Sequence, residues 1–145
     1  LMHLDVLTVE RTALSLDVRS IVVPTTVGEI TVLPGHVPLV TMLAPGELIA
    51  RTEGDEHHLA VTGGFLQVTP ANAIILADAC EHAEEIDLER AEQARARAQQ
   101  LLEAKAADVD LATAEAALRR AIARISVAER HRRGRRHAAP TDMSV

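Results

Sequence analysis

The stretch NAIILADACEHAEEIDLERAEQARARAQQLLEA, residues 72–104, holds the point where the chain changes its period. From Ile86 onward the turn formers vanish, and no Gly or Pro occurs before Gly134. Ala, Glu, Arg, Leu and Gln dominate there, all good helix formers. Ala91, Ala94, Ala98 and Leu101 recur at steps of three and four, which places them on one helical face. Leu111, Ala114, Leu118, Ala121, Ile122, Ile125 and Ala128 repeat the pattern. Two helices are predicted, near 87–104 and 111–131, with Asp108 and Asp110 as N-cap candidates for the second. The apolar face is mostly alanine, which removes little apolar area from water at ~25 cal/mol per Å². Such a hairpin is weakly held, and a small differential interaction can rearrange it.

Upstream the period is two. In HLDVLTVE, Leu4, Val6 and Thr8 share one face, and His3, Asp5 and Leu7 the other. ALSLDVRSIVV repeats the alternation with Leu14, Leu16 and Val18. Turn signals follow at Pro24, Gly28, Pro34-Gly35, Pro45-Gly46, Gly54, Gly63-Gly64 and Pro70–Asn72. Many short strands so spaced predict a sandwich or barrel. Hairpins are expected at Gly54 and at Pro70–Asn72. The fold class is therefore α+β in two parts. An N-terminal all-β sandwich over residues 1–85 precedes a C-terminal antiparallel helical hairpin over 86–133, and 134–145 form a disordered tail.

Composition narrows the function. The chain has 145 residues with one Phe, no Tyr and no Trp, so stacking of bases or sugars on aromatic rings is disfavoured. The single cysteine, Cys80, excludes an internal disulfide and a cysteine-based zinc site, and its apolar neighbours suggest a small buried residue. None of the seven histidines shows the paired helical spacing of a metal site. No apolar run approaches the ~20 residues that span a bilayer, and LMHLDV lacks the basic and apolar regions of a signal peptide. Charge is split: residues 1–85 carry three basic and twelve acidic residues, whereas 86–145 carry twelve basic and nine acidic. That asymmetry predicts two units with different partners.

At GEITVLPGHVPLVTMLAPGEL, residues 28–48, the chain resembles the epsilon subunit of bacterial F-type ATP synthases. Gly28-Glu29, Pro34-Gly35-His36, Pro38-Leu39 and Pro45-Gly46 carry the likeness. It continues through Gly63-Gly64-Phe65, ILADACEHAEEID and ALRRAIARISVAE, and departs at PTTVGE, around Thr25 and Val27. The resemblance implies a non-catalytic central-stalk subunit of a proton-translocating rotary ATP synthase, peripheral on the cytoplasmic face of the bacterial cell membrane. It implies that the sandwich binds the gamma subunit and the c-ring. The hairpin would either fold or extend toward the catalytic alpha and beta subunits, where it inhibits ATP hydrolysis.

From spacing alone, Asp87 is a helix N-cap and Arg90 a solvated side chain. The resemblance adds a second role. Ile86, Asp87, Arg90 and Ala91 look like the family's nucleotide motif, and Glu81, Arg97, Arg120 and Arg124 match further positions of that site. Asp87 and Glu81 would accept from the adenine amino group, and the four arginines would contact phosphates. No cofactor is required; ATP would be regulatory, bound without hydrolysis because nothing supplies a base for water. Glu29 and His36 would dock on the c-ring, although LPGH by itself is a turn. The basic cluster Arg130, Arg132, Arg133, Arg135 and Arg136 reads as a solvated tail or, by resemblance, as a contact to acidic residues of a catalytic subunit. The rival readings are a stand-alone ATP-binding module and a nucleic-acid adaptor working through that tail. The preferred reading has no nucleic-acid partner and reaches the membrane only through the complex.

Overall fold

A computed structural model describes residues 1–104 and 110–138. The chain divides into two compact units, Leu1–His82 and residues 83 onward.

The first unit is a sandwich of two five-stranded sheets. Sheet A has the order β2-β1-β9-β8-β5, from β1 (Met2–Leu7), β2 (Thr12–Val18), β5 (Leu39–Met42), β8 (Gly64–Val68) and β9 (Asn72–Ala77). Sheet B has the order β10-β7-β6-β3-β4, from β3 (Ser20–Thr25), β4 (Gly28–Val32), β6 (Gly46–Arg51), β7 (Glu56–Val61) and β10 (Cys80–His82). Alternation feeds the core between them: Leu4, Val6, Leu66 and Ile75 from sheet A meet Ile21, Val23, Leu48 and Leu59 from sheet B. Pairing is antiparallel except for β1 with β9, where His3 lies across from Asn72 and Leu7 from Leu76.

The ALSLDVRSIVV run divides where sequence alternation gives no break. Val18 ends β2 in sheet A and Ser20 begins β3 in sheet B, with Arg19 alone at the corner. Crossing there lets Val18 and Ile21 both reach the core with no exposed surface. The expected hairpins form, Arg51 pairing with Glu56 around Gly54 and Val68 with Ala73 around Pro70–Asn72. Cys80 is half-buried against the core, because the three-residue β10 is an edge strand that leaves one side open.

In the second unit a single 3₁₀ turn (Ala83–Glu85) leads into α1 (Leu88–Ala104), and α2 (Leu111–Ala138) packs against both α1 and that turn. Asp110 caps α2: its carboxylate accepts from the backbone N–H groups of Ala112 (3.0 Å) and Thr113 (3.3 Å) and from the Thr113 hydroxyl (2.8 Å). The other cap candidate, Asp108, lies outside the described residues. The tail expected to begin at 134 is corrected in part: α2 continues through Gly134 to Ala138. One glycine costs a helix only ~1 kcal/mol relative to alanine, and the residues around it are good helix formers. Residues 139–145 lie outside the described set. Ala91 and Ala98 of α1, and Ala114, Ala121 and Ala128 of α2, are buried at steps of seven, so the helices meet along an alanine seam.

Candidate functional site

The segment before α1 carries the first of the residues that the resemblance assigns to a nucleotide. Ile86 is buried, and Asp87 caps the helix as its residue type predicts: its carboxylate accepts from the Arg90 N–H (3.1 Å) and its carbonyl from the Ala91 N–H (3.0 Å). Ala91, the last residue of the motif, is fully buried in the seam. Its predecessor Arg90 and, two turns later, Arg97 are both exposed. On α2, Arg120 and Arg124 stand in the same relation to the buried Ala121 and Ile125.

In an antiparallel pair, the residue preceding a seam position falls on the same flank of both helices. The hairpin therefore lines four guanidiniums along one flank. No ion pair to Arg90, Arg97 or Arg120 occurs among the described residues. Arg95 differs: it pairs with Glu92 at 2.8 Å, and its buried Nε has no partner among those residues. Glu81, the eighth residue of the expected set, sits on β10 across from Ala60 and belongs to the sandwich unit, whereas the other seven belong to the hairpin unit.

Glu29 and His36 lie to either side of the body of β4. Glu29 lies across from Pro24 beside the β3–β4 turn, and His36 sits in the turn beyond the far end of β4. That turn is held by Gly35, at φ 82°, whose N–H donates to the Pro70 carbonyl (2.9 Å), and by His36 Nδ1, which donates to the Val37 carbonyl (2.7 Å).

Two features escaped the sequence reading. The outer face of sheet A carries Val40, Met42, Phe65, Ile74 and Leu76, all at least 36% exposed. The register sets them in cross-strand rows, Met42–Phe65–Leu76 and Val40–Gln67–Ile74. The available signal was NAIILA itself, whose apolar run is continuous rather than alternating, as in a strand covered on both faces. Beside this field lies a charged corner. His3 Nδ1 is 2.9 Å from Asp17, and Nε2 is 3.3 Å from Asp5 and 3.2 Å from Ser15. Ser15, His3 and Asp17 thus stand in the order of a nucleophile relay. However, the Ser15 hydroxyl donates its hydrogen bond to Asp5 (2.6 Å) rather than to His3, and the Asp17 hydrogen bond raises the His3 pKa, which stabilises the imidazolium against service as a base. On sheet B, His58 is similarly engaged by the buried Glu47 (3.0 Å) and by Glu56 (3.1 Å). The Arg51 hydrogen bond holds Glu56 below the usual carboxylate range.

A contiguous exposed apolar field on a small sandwich, with a basic hairpin as a separate unit, defines a docking subunit built for assembly with a partner. The family model for the ATP synthase delta/epsilon chain β-sandwich domain matches residues 1–83, and that for its long α-helix domain matches residues 84–129. The ATP synthase epsilon chain of Chloroflexus aggregans is 46% identical over 136 residues, covering 94% of this chain and 98% of its own length. That of Dehalococcoides mccartyi is 44% identical over 133 residues, covering 91% and 95%. A chain in the cryo-EM structure of the Euglena gracilis mitochondrial ATP synthase, OSCP/F1/c-ring, superposes with TM-score 0.75 and 28% identity, over 83% of this chain and 77% of that one. A chain from the central stalk and c-ring of the Tetrahymena thermophila mitochondrial enzyme shares the fold at TM-score 0.56 and 16% identity, over 90% and 95%. The chain belongs to the ATP synthase delta/epsilon family. It is accordingly a non-catalytic subunit, and no helix among its described residues is long and apolar enough to cross a membrane.

Proposed function

We propose that this chain is the central-stalk epsilon subunit of a bacterial, proton-translocating rotary ATP synthase, peripheral on the cytoplasmic face of the cell membrane. Its sandwich couples the gamma subunit to the c-ring, and its hairpin gates ATP hydrolysis. The exposed apolar face of sheet A carries the reading, because a monomer seldom leaves such a field uncovered. Gamma docks there. The c-ring is met by the sandwich ends, with Glu29 and His36 contributing from opposite ends of β4. The solved relative from Euglena sits in an F1/c-ring assembly, which supports these partners.

The hairpin is the movable element. Alanine at its seam lets the helices approach closely while burying little apolar area, so the packed state is only slightly favoured. Packing also brings four guanidiniums onto one flank, where they repel. A polyphosphate neutralises them through charge-assisted contacts, so regulatory ATP favours the folded state. Asp87 serves the adenine end. Without ATP the hairpin extends, and α2 reaches the catalytic alpha and beta subunits and inhibits hydrolysis. ATP acts only through its different affinity for the two states. An adaptor binding ATP alone has no use for the sheet A face.

The test is co-purification of the full chain with gamma, with ATP titrated into the isolated chain. Binding to gamma should survive removal of residues 86–145 while inhibition is relieved. ATP binding should weaken at least tenfold when Arg90→Ala and Arg124→Ala are combined, the loss expected for one charge-assisted contact of ~1.5 kcal/mol or more. Loss of assembly on truncation removes the division of labour. Unchanged ATP affinity removes the site.

A further inference from the structure

The corner around His3 has a structure of its own. The imidazole stands between carboxylates on two strands, Asp17 of β2 at 2.9 Å and Asp5 of its own β1 at 3.3 Å. A histidine donates from both nitrogens only as the imidazolium. The Asp17 hydrogen bond raises His3 above its usual value; desolvation opposes this, and the charges of Asp5 and Asp17 add to the rise. Across on β9 the neighbours are Asn72 and Ile74, neither of which titrates. The charged groups that face His3 are therefore two carboxylates.

The register ties this corner to the apolar field. Asp5 lies directly across from Ile74, and Ile74 belongs to the row that runs through Gln67 to Val40. Neighbouring strands are ~4.8 Å apart. A stable interface covers ~800 Å² per partner, more than five half-exposed side chains present. A partner seated on Val40, Phe65 and Ile74 therefore overlays Asp5, and with it His3.

We propose that His3 is a proton switch on docking at the sheet A face: protonated, it leaves the covered corner with one net negative charge, and deprotonated with two. This rests on the reading that gamma docks there. Taking an unneutralised carboxylate out of water is costly, so docking weakens as pH rises and the His3 proton is lost. By linkage, docking takes up protons, because the covered state favours the imidazolium.

The test is calorimetry of the full chain with its gamma subunit from about pH 5.5 to 8.5, a range that brackets ordinary histidine titration. Two buffers of different ionisation heat report proton uptake. Wild-type affinity should fall about tenfold across the range, the change for a one-unit shift of a single group, with net proton uptake. Both effects should vanish in His3→Gln and shrink in Asp17→Asn, which leaves β1 unaltered and Asp5 as the one carboxylate beside the imidazole. If gamma binds but these variants keep the wild-type pH profile and proton uptake, the switch is overturned and the docking reading stands. Affinity that rises with pH also overturns it, assigning the corner to a cation of the partner. Failure of the wild-type chain to bind gamma at any pH removes the docking reading and the switch together.

Discussion

Ala121→Leu tests the hairpin in the middle of its alanine seam. Ala121 is 2% exposed and lies in the seam midway between Ala114 and Ala128, opposite a helix that presents Ala91 and Ala98. Leucine is close to alanine in helix propensity, so α2 itself keeps its stability and the perturbation falls on the seam. Forcing the larger side chain between closely packed helices costs ~1–3 kcal/mol, as overpacking of a filled core does. If the folded hairpin alone bears that strain, the equilibrium moves toward the extended state by about five- to 150-fold. Apparent ATP affinity of the isolated chain should weaken by that factor once the extended state predominates. Hydrolysis by the assembled complex should become more strongly inhibited. Calorimetry reads the first and a coupled ATPase assay the second. Ala96→Leu, at an exposed position of α1, is the control and should change neither. An Ala121→Leu chain that binds ATP and inhibits as wild type does refutes the claim that an alanine seam sets the switch.

Two further outcomes concern the scaffold. Gly64 sits at φ 115°, and a Cβ there would run into the Leu76 carbonyl oxygen and come within 2.8 Å of the Ala77 Cα. Gly64→Ala should therefore lower the stability of the sandwich by ~1–3 kcal/mol or more, read as a fall in the urea midpoint; an unchanged midpoint contradicts that geometry. Hydrogen bonds from the Thr113 hydroxyl and backbone, and from Ala112, hold the Asp110 carboxyl below the ordinary aspartate range. A depressed folded value means that the cap's contribution is present above the unfolded pKa and is lost as pH falls through the folded one. Helical ellipticity should drop between about pH 5 and 2 more in wild type than in Asp110→Asn, which keeps a capping oxygen without the titration. Equal acid profiles would show that this cap does not depend on its charge.

Sequence by itself determined the two-part build. Period two in LDVLTV and period 3.6 from Ile86 are local consequences of where side chains point along a strand or a helix, and turn chemistry at Gly54 and Pro70–Asn72 is equally local. The cap at Asp87 and the alanine seam follow from the same kind of short-range rule. Tertiary structure alone decided what depends on strand order. Arg19 became a corner because residues on either side of it pair in different sheets, which alternation cannot signal. The sandwich connection put Glu29 and His36 at opposite ends of β4, although only seven positions separate them in the chain. Met42, Phe65 and Leu76 became one row, and His3 came between Asp5 and Asp17, through pairings that join residues far apart in the chain. A sheet face is a property of register, and register is set by which strands meet across the core.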